Sequence, residues 1–245
     1  MGEMTQTQVK RGKKVAEAVA QDIVRKIGAE RLPPGTPLPP EAQMLEEYGV
    51  GRGSLREALR ILEVHGLIVL KPGPKGGPIV TGVSPVAFGQ MATLYFQAQQ
   101  MTFRELVEAR LVMEPVMARL AAERRDPGKS TKLREIAENT QTVDEVNYLT
   151  STGDFHQLVA SMSGNGILNL FGGALSEIFR AKVSGMLFPK TRRSQVREVH
   201  AKIAHAIESG DAESAERLMR EHMQEYANYV KRRHPALMNE VVGWH

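Results

Sequence analysis

The sequence predicts a mostly α-helical chain of two domains: an N-terminal winged helix-turn-helix with a small β-hairpin, residues 12–82, and a C-terminal all-α helical bundle, residues 84–233. Three observations support this fold class. Apolar residues recur at helical spacing along most of the chain. Two short β-branched or apolar runs flank a stretch rich in Gly, Pro and Lys, which is typical of a hairpin. Beyond residue 85, only helical patterns remain.

The first predicted helix covers residues 14–31, where Val15, Val19, Ile23 and Ile27 are spaced four apart and form one apolar face. The polar residues 1–12 before it are expected to form a loose arm. The proline-rich residues 32–40 end the helix, because proline lacks an amide donor and disfavours helix in the residue before it. Two helices and two strands follow, at residues 41–48, 52–65, 67–70 and 78–81.

The second domain reads as helix throughout, interrupted by short turns at Asn165, Gly166, Pro189 and Gly210. The predicted helices are 85–100, 103–124, 129–149, 154–163, 167–187, 194–209 and 212–233. Residues 236–245 are expected to form a frayed end.

Composition excludes several classes of protein. With 245 residues and 42% hydrophobic residues, the chain can bury one large core or two modest ones. There is no cysteine, which excludes disulfides and thiolate metal sites. No apolar run reaches the roughly 18 residues of a membrane span, and residues 1–12 are too polar for a signal peptide. We therefore expect a cytoplasmic protein without a membrane partner.

The positive charge is concentrated in the first third of the chain. Residues 1–82 contain 12 Lys and Arg against 9 Asp and Glu, a net charge of +3 out of +4 in total. In the third helix, Leu55, Leu59 and Leu62 form a buried stripe, while Arg52, Arg56 and Arg60 repeat every four residues on a neighbouring face. Such a face is either simply solvated or suited to the major groove of DNA, where Arg binds guanine or phosphate. Lys71 and Lys75 flank the hairpin loop.

This first domain resembles the DNA-binding domain of the GntR family of bacterial transcription regulators. The resemblance covers about residues 14–80 and rests on Pro34-Gly35, Leu38-Pro39, Gly49-Val50, Arg52, residues 55–60, Gly66-Leu67 and the glycine-rich wing. It implies that Arg52 and Arg56 contact double-stranded operator DNA and that Gly73 lies at the wing tip. The full set of candidate DNA-binding residues is Arg52, Gly53, Ser54, Arg56, Arg60, Lys71, Gly73 and Lys75. Two positions depart from the family pattern: Ala42 replaces a common Arg, and Gly51 a common Ser or Thr.

Three histidines of the second domain fall in or beside apolar helix stripes. His200 lies with Val196 and Ile203, His222 continues the stripe of Met219 and Tyr226, and His156 borders Phe155. A single inward histidine is more often a hydrogen-bonded core residue than a ligand. Three on three helices of one bundle favour a shared site for a divalent metal, Zn or Ni, although spacing alone does not show that they converge.

The second domain resembles the FadR-type C-terminal effector domain (FCD) of the same family. The resemblance rests on residues 108–114, Phe155-His156, residues 163–165, His200, residues 206–211 and His222. It implies metal binding by His156, His200 and His222 together with a carboxylate four residues before the first histidine. Thr152 occupies that position here, and Asp154 faces elsewhere. The site is then completed by water or effector, binds metal weakly, or lacks metal.

The resemblance also implies a small carboxylate effector. Arg110 is the candidate clamp for its carboxylate, with Glu114 and Asn165 as further effector-binding candidates. The alternative for Arg110 is a buried ion pair with Glu114, and the two roles are compatible.

Together these features predict a homodimeric transcription regulator, a repressor rather than an enzyme, whose operator binding responds to a small acid. Two alternatives remain open. One is a metal-dependent hydrolase-like enzyme, disfavoured because no HExxH or similar motif occurs. The other is an effector-free dimeric DNA-binding protein, in which the bundle only dimerises.

Overall fold

The computed structural model describes residues 6–73, 76–82, 84–138, 145–183 and 190–243. The chain divides into two units, residues 1–84 and 85–245. The described part is mostly helical with one two-stranded antiparallel sheet, so the predicted fold class is confirmed. No helix among the described residues is both long enough and apolar enough to span a bilayer.

The first unit contains three helices and a hairpin. They are α1 (Gln6–Ala29), α2 (Glu41–Tyr48), α3 (Arg52–Val64), β1 (Ile68–Lys71) and β2 (Gly77–Val80). Helix α1 packs on α3, and Val19 and Ile23 of α1 belong to the same buried cluster as the fully buried Leu55 of α3. In the hairpin, Ile68 is paired with Val80. Gly49 ends α2 in the left-handed conformation, with φ 59°, which glycine adopts without the steric cost of a side chain.

The expectation of a loose arm over residues 1–12 is wrong for residues 6–12, which belong to α1. No proline interrupts this stretch, and Gly12 inside a helix costs only about 1 kcal/mol relative to Ala. The apolar stripe identified the part of the helix that packs on α3, but not its polar extension.

The second unit contains seven helices among the residues described, followed by a short 3₁₀ turn. They are α4 (Pro85–Ala98), α5 (Phe103–Arg124), α6 (Pro127–Glu138), α7 (Glu145–Met162), α8 (Gly166–Val183), α9 (Lys190–Ser209), α10 (Ala212–Arg233) and the turn Leu237–Asn239. Helix α5 begins with a capping box between Thr102 and Glu105 and lies centrally, against α7, α8, α9 and α10.

The break predicted between residues 149 and 154 is wrong, because α7 is continuous from Glu145 to Met162. Gly153 and the polar residues before it are weak helix formers, yet Phe155 and Val159 are fully buried and hold this face of the helix in the core. Residues 139–144 of the predicted 129–149 helix and 184–187 of the predicted 167–187 helix lie outside the described residues.

The expectation of a frayed C-terminal end is also wrong for residues 236–243. Leu237, Met238 and Val242 are buried in the same cluster as Phe103. The amide of Phe103 donates to the carbonyl of Glu240 over 2.9 Å, which ties this segment to the start of α5. Apolar side chains too sparse to show helical periodicity therefore order the chain end by covering the core.

Candidate functional site

Three histidines converge inside the second unit. His156 on α7, His200 on α9 and His222 on α10 each offer one ring nitrogen, and these nitrogens lie within 4.8 Å of one another. The Nε2 atoms of His200 and His222 are 3.2 Å apart. The apolar helix stripes thus identified these three histidines from the sequence. Their convergence comes from the packing of α7, α9 and α10 in the bundle.

Burial keeps two of these imidazoles neutral. His200 is completely buried, and burial, followed by the charges of His222 and His156, lowers the pKa of His200 well below its usual value. Burial, followed by the charge of His156, also lowers the pKa of His222 to about 3. A neutral imidazole has a free ring lone pair, which is the form that binds a metal.

Glu114 on α5 orients the third histidine. Its Oε2 lies 2.5 Å from Nδ1 of His156, and its Oε1 accepts a hydrogen bond from Nε of Arg110 over 2.6 Å. Burial tends to raise the pKa of Glu114, but the charges of Arg110 and His156 and their hydrogen bonds prevail and bring it to about 2. Because an ionised carboxylate only accepts hydrogen bonds, Nδ1 of His156 carries the proton and Nε2 is left as the donor atom for a ligand.

The ion pair between Arg110 and Glu114, one of the two roles left open for Arg110, is therefore present and buried. The Arg110 guanidinium also lies over the ring of Phe179, 4.1 Å from its centroid. Sequence reasoning missed the bond from Glu114 to His156, since 42 residues separate the two and only the i, i+4 relation to Arg110 is visible locally.

The donor set fits a divalent transition metal. Nitrogen ligands bind Zn²⁺ at about 2.0–2.1 Å, so two neighbouring ligands lie roughly 2.8–3.4 Å apart, the shorter value for an octahedral and the longer for a tetrahedral ion. The separation of 3.2 Å between His200 and His222 falls in this range. The ligand group found among the described residues contains no carboxylate: Thr152 precedes His156 by one turn, and Asp154 is exposed.

A stacked phenylalanine and two buried polar atoms that lack partners among the described residues are further features of α7 and α9. The ring of Phe155 stacks on that of His200, with centroids 3.9 Å apart and an interplanar angle of 4°. The Oγ1 of Thr152 and the Nδ1 of His200 are buried and have no hydrogen-bond partner within the part of the chain that the structure describes. The sequence placed Phe155 in the core but did not indicate that it fixes the plane of a histidine ring.

Asn165, the third effector-binding candidate, lies elsewhere. It is exposed in the turn after α7, and its side-chain oxygen accepts hydrogen bonds from the amides of Ile167 and Leu168 at the start of α8. The structure thus gives Asn165 a helix-capping role and does not bring it to the histidines. An Asn directly before an apolar helix start is the local signal for such a cap.

In the first unit, α3 separates a buried face from a basic one. Leu55, Leu59 and Leu62 are at most 2% exposed, whereas Arg52, Arg56 and Arg60 face solvent. The Arg56 side chain is 71% exposed and its Nε lies 3.3 Å from Glu41.

The remaining candidate DNA-binding residues lie around this helix and on the wing. Gly53 is exposed and Ser54 half-buried in the first turn of α3. Lys71 is exposed at the end of β1, and Gly73 follows with φ 104°, a conformation that favours glycine. Lys75 lies outside the described residues.

A winged helix-turn-helix with an exposed arginine face, in a chain that continues into an all-α domain with a buried histidine cluster, defines the class of DNA-binding transcription regulators. Residues 15–74 match the family described as bacterial regulatory proteins, gntR family, and residues 105–225 match the FCD domain. The two matches together span most of the chain, which therefore belongs to the GntR family and carries an FCD domain.

Similar proteins agree with this assignment. The HTH-type transcriptional repressor NanR of Enterobacter sp. (strain 638) is 27% identical over 218 residues, which cover 86% of this chain and 83% of that repressor. The solved structure of Streptococcus agalactiae GntR superposes with a TM-score of 0.69 at 23% identity, covers 87% of this chain and 99% of its own, and shows the shared fold. The predictions of a GntR-type regulator and of a non-enzymatic function are confirmed by the family and its relatives.

Proposed function

We propose that the chain is a homodimeric repressor whose operator binding is controlled by a small organic acid, bound at the histidine cluster together with Zn²⁺ or Ni²⁺. One observation carries the proposal: His156, His200 and His222 converge within 4.8 Å in the domain that accompanies the DNA-binding domain. A repressor of this kind works in the cytoplasm, where bacterial DNA lies.

On the DNA side, Arg52, Arg56 and Arg60 enter the major groove, and Lys71 and Gly73 bring the wing to the backbone or the minor groove. Lys75 contributes a further positive charge there. Gly53 and Ser54 let the first turn of α3 approach a phosphate, whose charge is favoured by the amides of a helix N-terminus. Operator sequence is then read mainly by the arginines, and the other contacts set the position of the helix.

In the second unit, His156, His200 and His222 would hold the cation, which supplies a positive centre for an acid carboxylate. Glu114 keeps His156 in the tautomer that presents Nε2. Arg110 and His156 bind the same carboxylate of Glu114, so Arg110 lies near the cluster. It has N–H groups beyond the Nε that Glu114 binds, and these can also contact the acid. The acid must favour one DNA-binding state over the other, since equal affinity shifts nothing.

The homodimer is proposed to form through α4 and α8. No charged residue occurs in Pro85–Ala98, and Tyr95 on α4 is 67% exposed, as Ile167 on α8 is 69% exposed. An apolar cavity of about 210 Å³ lies between the two helices. A face without charge is complementary to a second copy of itself, and a two-fold dimer matches a palindromic operator.

The dimer face is tested by light scattering. Tyr95→Glu should shift the protein to monomer, because it buries a charge in the proposed interface. The exposed Val64→Glu in the first unit is the matched control and should stay dimeric. A Tyr95→Glu protein that remains dimeric would overturn the choice of face.

The function is tested by selecting DNA from random and genomic pools with the purified protein, then adding organic acids one by one, with and without Zn²⁺ or Ni²⁺. We expect one palindromic site to be enriched and one class of acid to release it in a metal-dependent way. If the protein binds one DNA site specifically but none of the acids releases it, the effector-free alternative is favoured.

A further inference from the structure

The hydroxyl of Thr152 is unusual among the buried polar groups of the second unit. A threonine inside a helix commonly donates to the carbonyl four residues earlier, as the buried Thr93 does to Gly89 over 2.7 Å. Thr152 also lies within a helix, α7, yet its Oγ1 is buried without a partner among the residues described. An unpaired buried hydroxyl costs stability unless a ligand or water satisfies it.

The position of this hydroxyl connects it with the histidine cluster. Thr152 precedes His156 by one helical turn, so their side chains leave α7 on the same face, with Cβ atoms about 5–6 Å apart. The rings of His200 and Phe155 are stacked, with centroids 3.9 Å apart, so Phe155 covers one face of that imidazole. Among the residues described, the Thr152 hydroxyl is therefore an unsatisfied donor on the face of α7 that carries His156.

Charge gives a second, independent argument. The three ligand nitrogens are uncharged when they bind a cation, and the group contains no carboxylate within the described ranges. The nearest acidic residue, Glu114, already uses one oxygen for Arg110 and the other for His156. With a divalent cation held there, the cluster carries two positive charges that the ligand residues do not balance, and burying unbalanced charge is costly.

We propose that the acid supplies this missing negative charge and that Thr152 donates its hydroxyl hydrogen to the acid, so that cation and acid bind cooperatively. The inference rests on the proposed function and specifies how its site is regulated. Neither ligand then binds tightly alone, and the acid strengthens cation binding by the same factor as the cation strengthens acid binding. Thr152 becomes a specificity residue for the acid rather than a ligand of the metal.

The test measures the Zn²⁺ affinity of the full chain in a chelator-buffered titration, with acetate as the smallest carboxylate probe and chloride at equal ionic strength as its reference. For the unmodified protein, acetate should raise the Zn²⁺ affinity, within the roughly 5- to 150-fold range of typical coupling. Thr152→Asp should bind Zn²⁺ more tightly in chloride and show a smaller acetate effect, because its own carboxylate neutralises one of the two positive charges. Thr152→Val should have the same Zn²⁺ affinity in chloride as the unmodified protein, and the increase in Zn²⁺ affinity caused by acetate should be about fivefold smaller.

Thr131→Val, whose side chain is exposed on α6, is the matched control and should behave as the unmodified protein. Circular dichroism verifies the fold of each variant, and Thr152→Val, the smaller change, remains informative if Thr152→Asp does not fold. Equal Zn²⁺ affinity of the unmodified protein in acetate and chloride, or an undiminished acetate effect in Thr152→Val, overturns the inference but leaves the metal site standing. Absence of Zn²⁺ and Ni²⁺ binding in both buffers overturns the proposed metal site as well.

Discussion

Glu114 and His156 are joined by a buried hydrogen bond of 2.5 Å between Oε2 and Nδ1, across the contact of α5 with α7. The same carboxylate binds Arg110, so one acidic side chain balances a buried guanidinium and orients an imidazole. A carboxylate that binds one ring nitrogen of a histidine and leaves the other nitrogen free is the usual way in which a metal-binding histidine is oriented.

Glu114→Gln tests this support. It keeps the size of the side chain but removes the charge, which weakens the orientation of His156 and leaves Arg110 buried without a counter-ion. We expect metal affinity to fall about 10- to 100-fold and the free energy of unfolding to fall by about 3 kcal/mol. Zn²⁺ titration and urea denaturation measure the two effects. Glu123→Gln, in an exposed pair with Arg119 on the same helix, should change neither; unchanged metal affinity in Glu114→Gln would refute the orienting role.

Removal of two ligands tests the metal site directly. Purified protein is expected to contain a divalent transition metal, and a His200→Ala, His222→Ala double variant to lose it, because one remaining imidazole holds an ion weakly. Elemental analysis by mass spectrometry gives the metal content per chain. His205→Ala is the control, since His205 lies on α9 as well but is exposed. Equal metal content in the double variant and in the unmodified protein is the result that contradicts the site.

The same histidines make the metal-free protein sensitive to acid. The folded-state pKa of His200 and of His222 lies below the ordinary value of 6.5, so below pH 6.5 the unfolded chain takes up protons that the folded chain does not. The free energy of unfolding therefore falls as pH falls below about 6.5, by up to about 1.4 kcal/mol per pH unit for each histidine. For His222 this loss ends near its folded pKa of about 3.

Urea denaturation of the metal-free protein at pH 7.5 and 5.5 measures the effect, with an expected loss of about 2–3 kcal/mol from the two histidines together. In His222→Gln, roughly half of this pH dependence should disappear. Glu114 adds to the loss only at lower pH, between its ordinary pKa of 4.5 and about 2, where the unfolded chain alone is protonated. A free energy of unfolding that stays constant from pH 7.5 to 5.5 would show that these imidazoles are not buried as neutral groups.

Local sequence patterns were sufficient to predict many of the helices and their buried faces. The predicted bounds of α5 and α10 agree with the structure, in which Thr102 and Asp211 cap the first turns of these helices. The buried and basic faces of α3, which lie side by side, follow from Leu55 and Arg56 with their i+4 neighbours in the same way. Residues whose roles depend on one helix alone can be assigned from the helix period.

Contacts between distant segments were not predictable in this way. The bond of Glu114 to His156 and the stacking of Phe155 on His200 depend on how α5, α7 and α9 pack, which no single period encodes. The burial of Leu237 and Val242 likewise depends on an apolar surface at Phe103, far away along the chain. The sequence thus identified the three histidines, and the packing of the bundle determined their support.

The arginine face of α3 gives the last prediction. On the operator obtained by selection, Arg52→Ala and Arg56→Ala should each weaken specific binding by about 1–3 kcal/mol, since a bidentate contact to a guanine contributes about this much. Gel-shift titrations at fixed salt measure this loss of affinity. Loss of a phosphate contact alone would instead weaken binding to all DNA sequences equally and lower the salt dependence of binding. Arg217→Ala, in an exposed pair with Glu221 on α10, is the control and should bind DNA normally. Because Leu55 and Leu59 are buried on a separate face of α3, neither α3 variant should unfold the domain. Full, sequence-specific binding by both variants would exclude α3 as the reading helix.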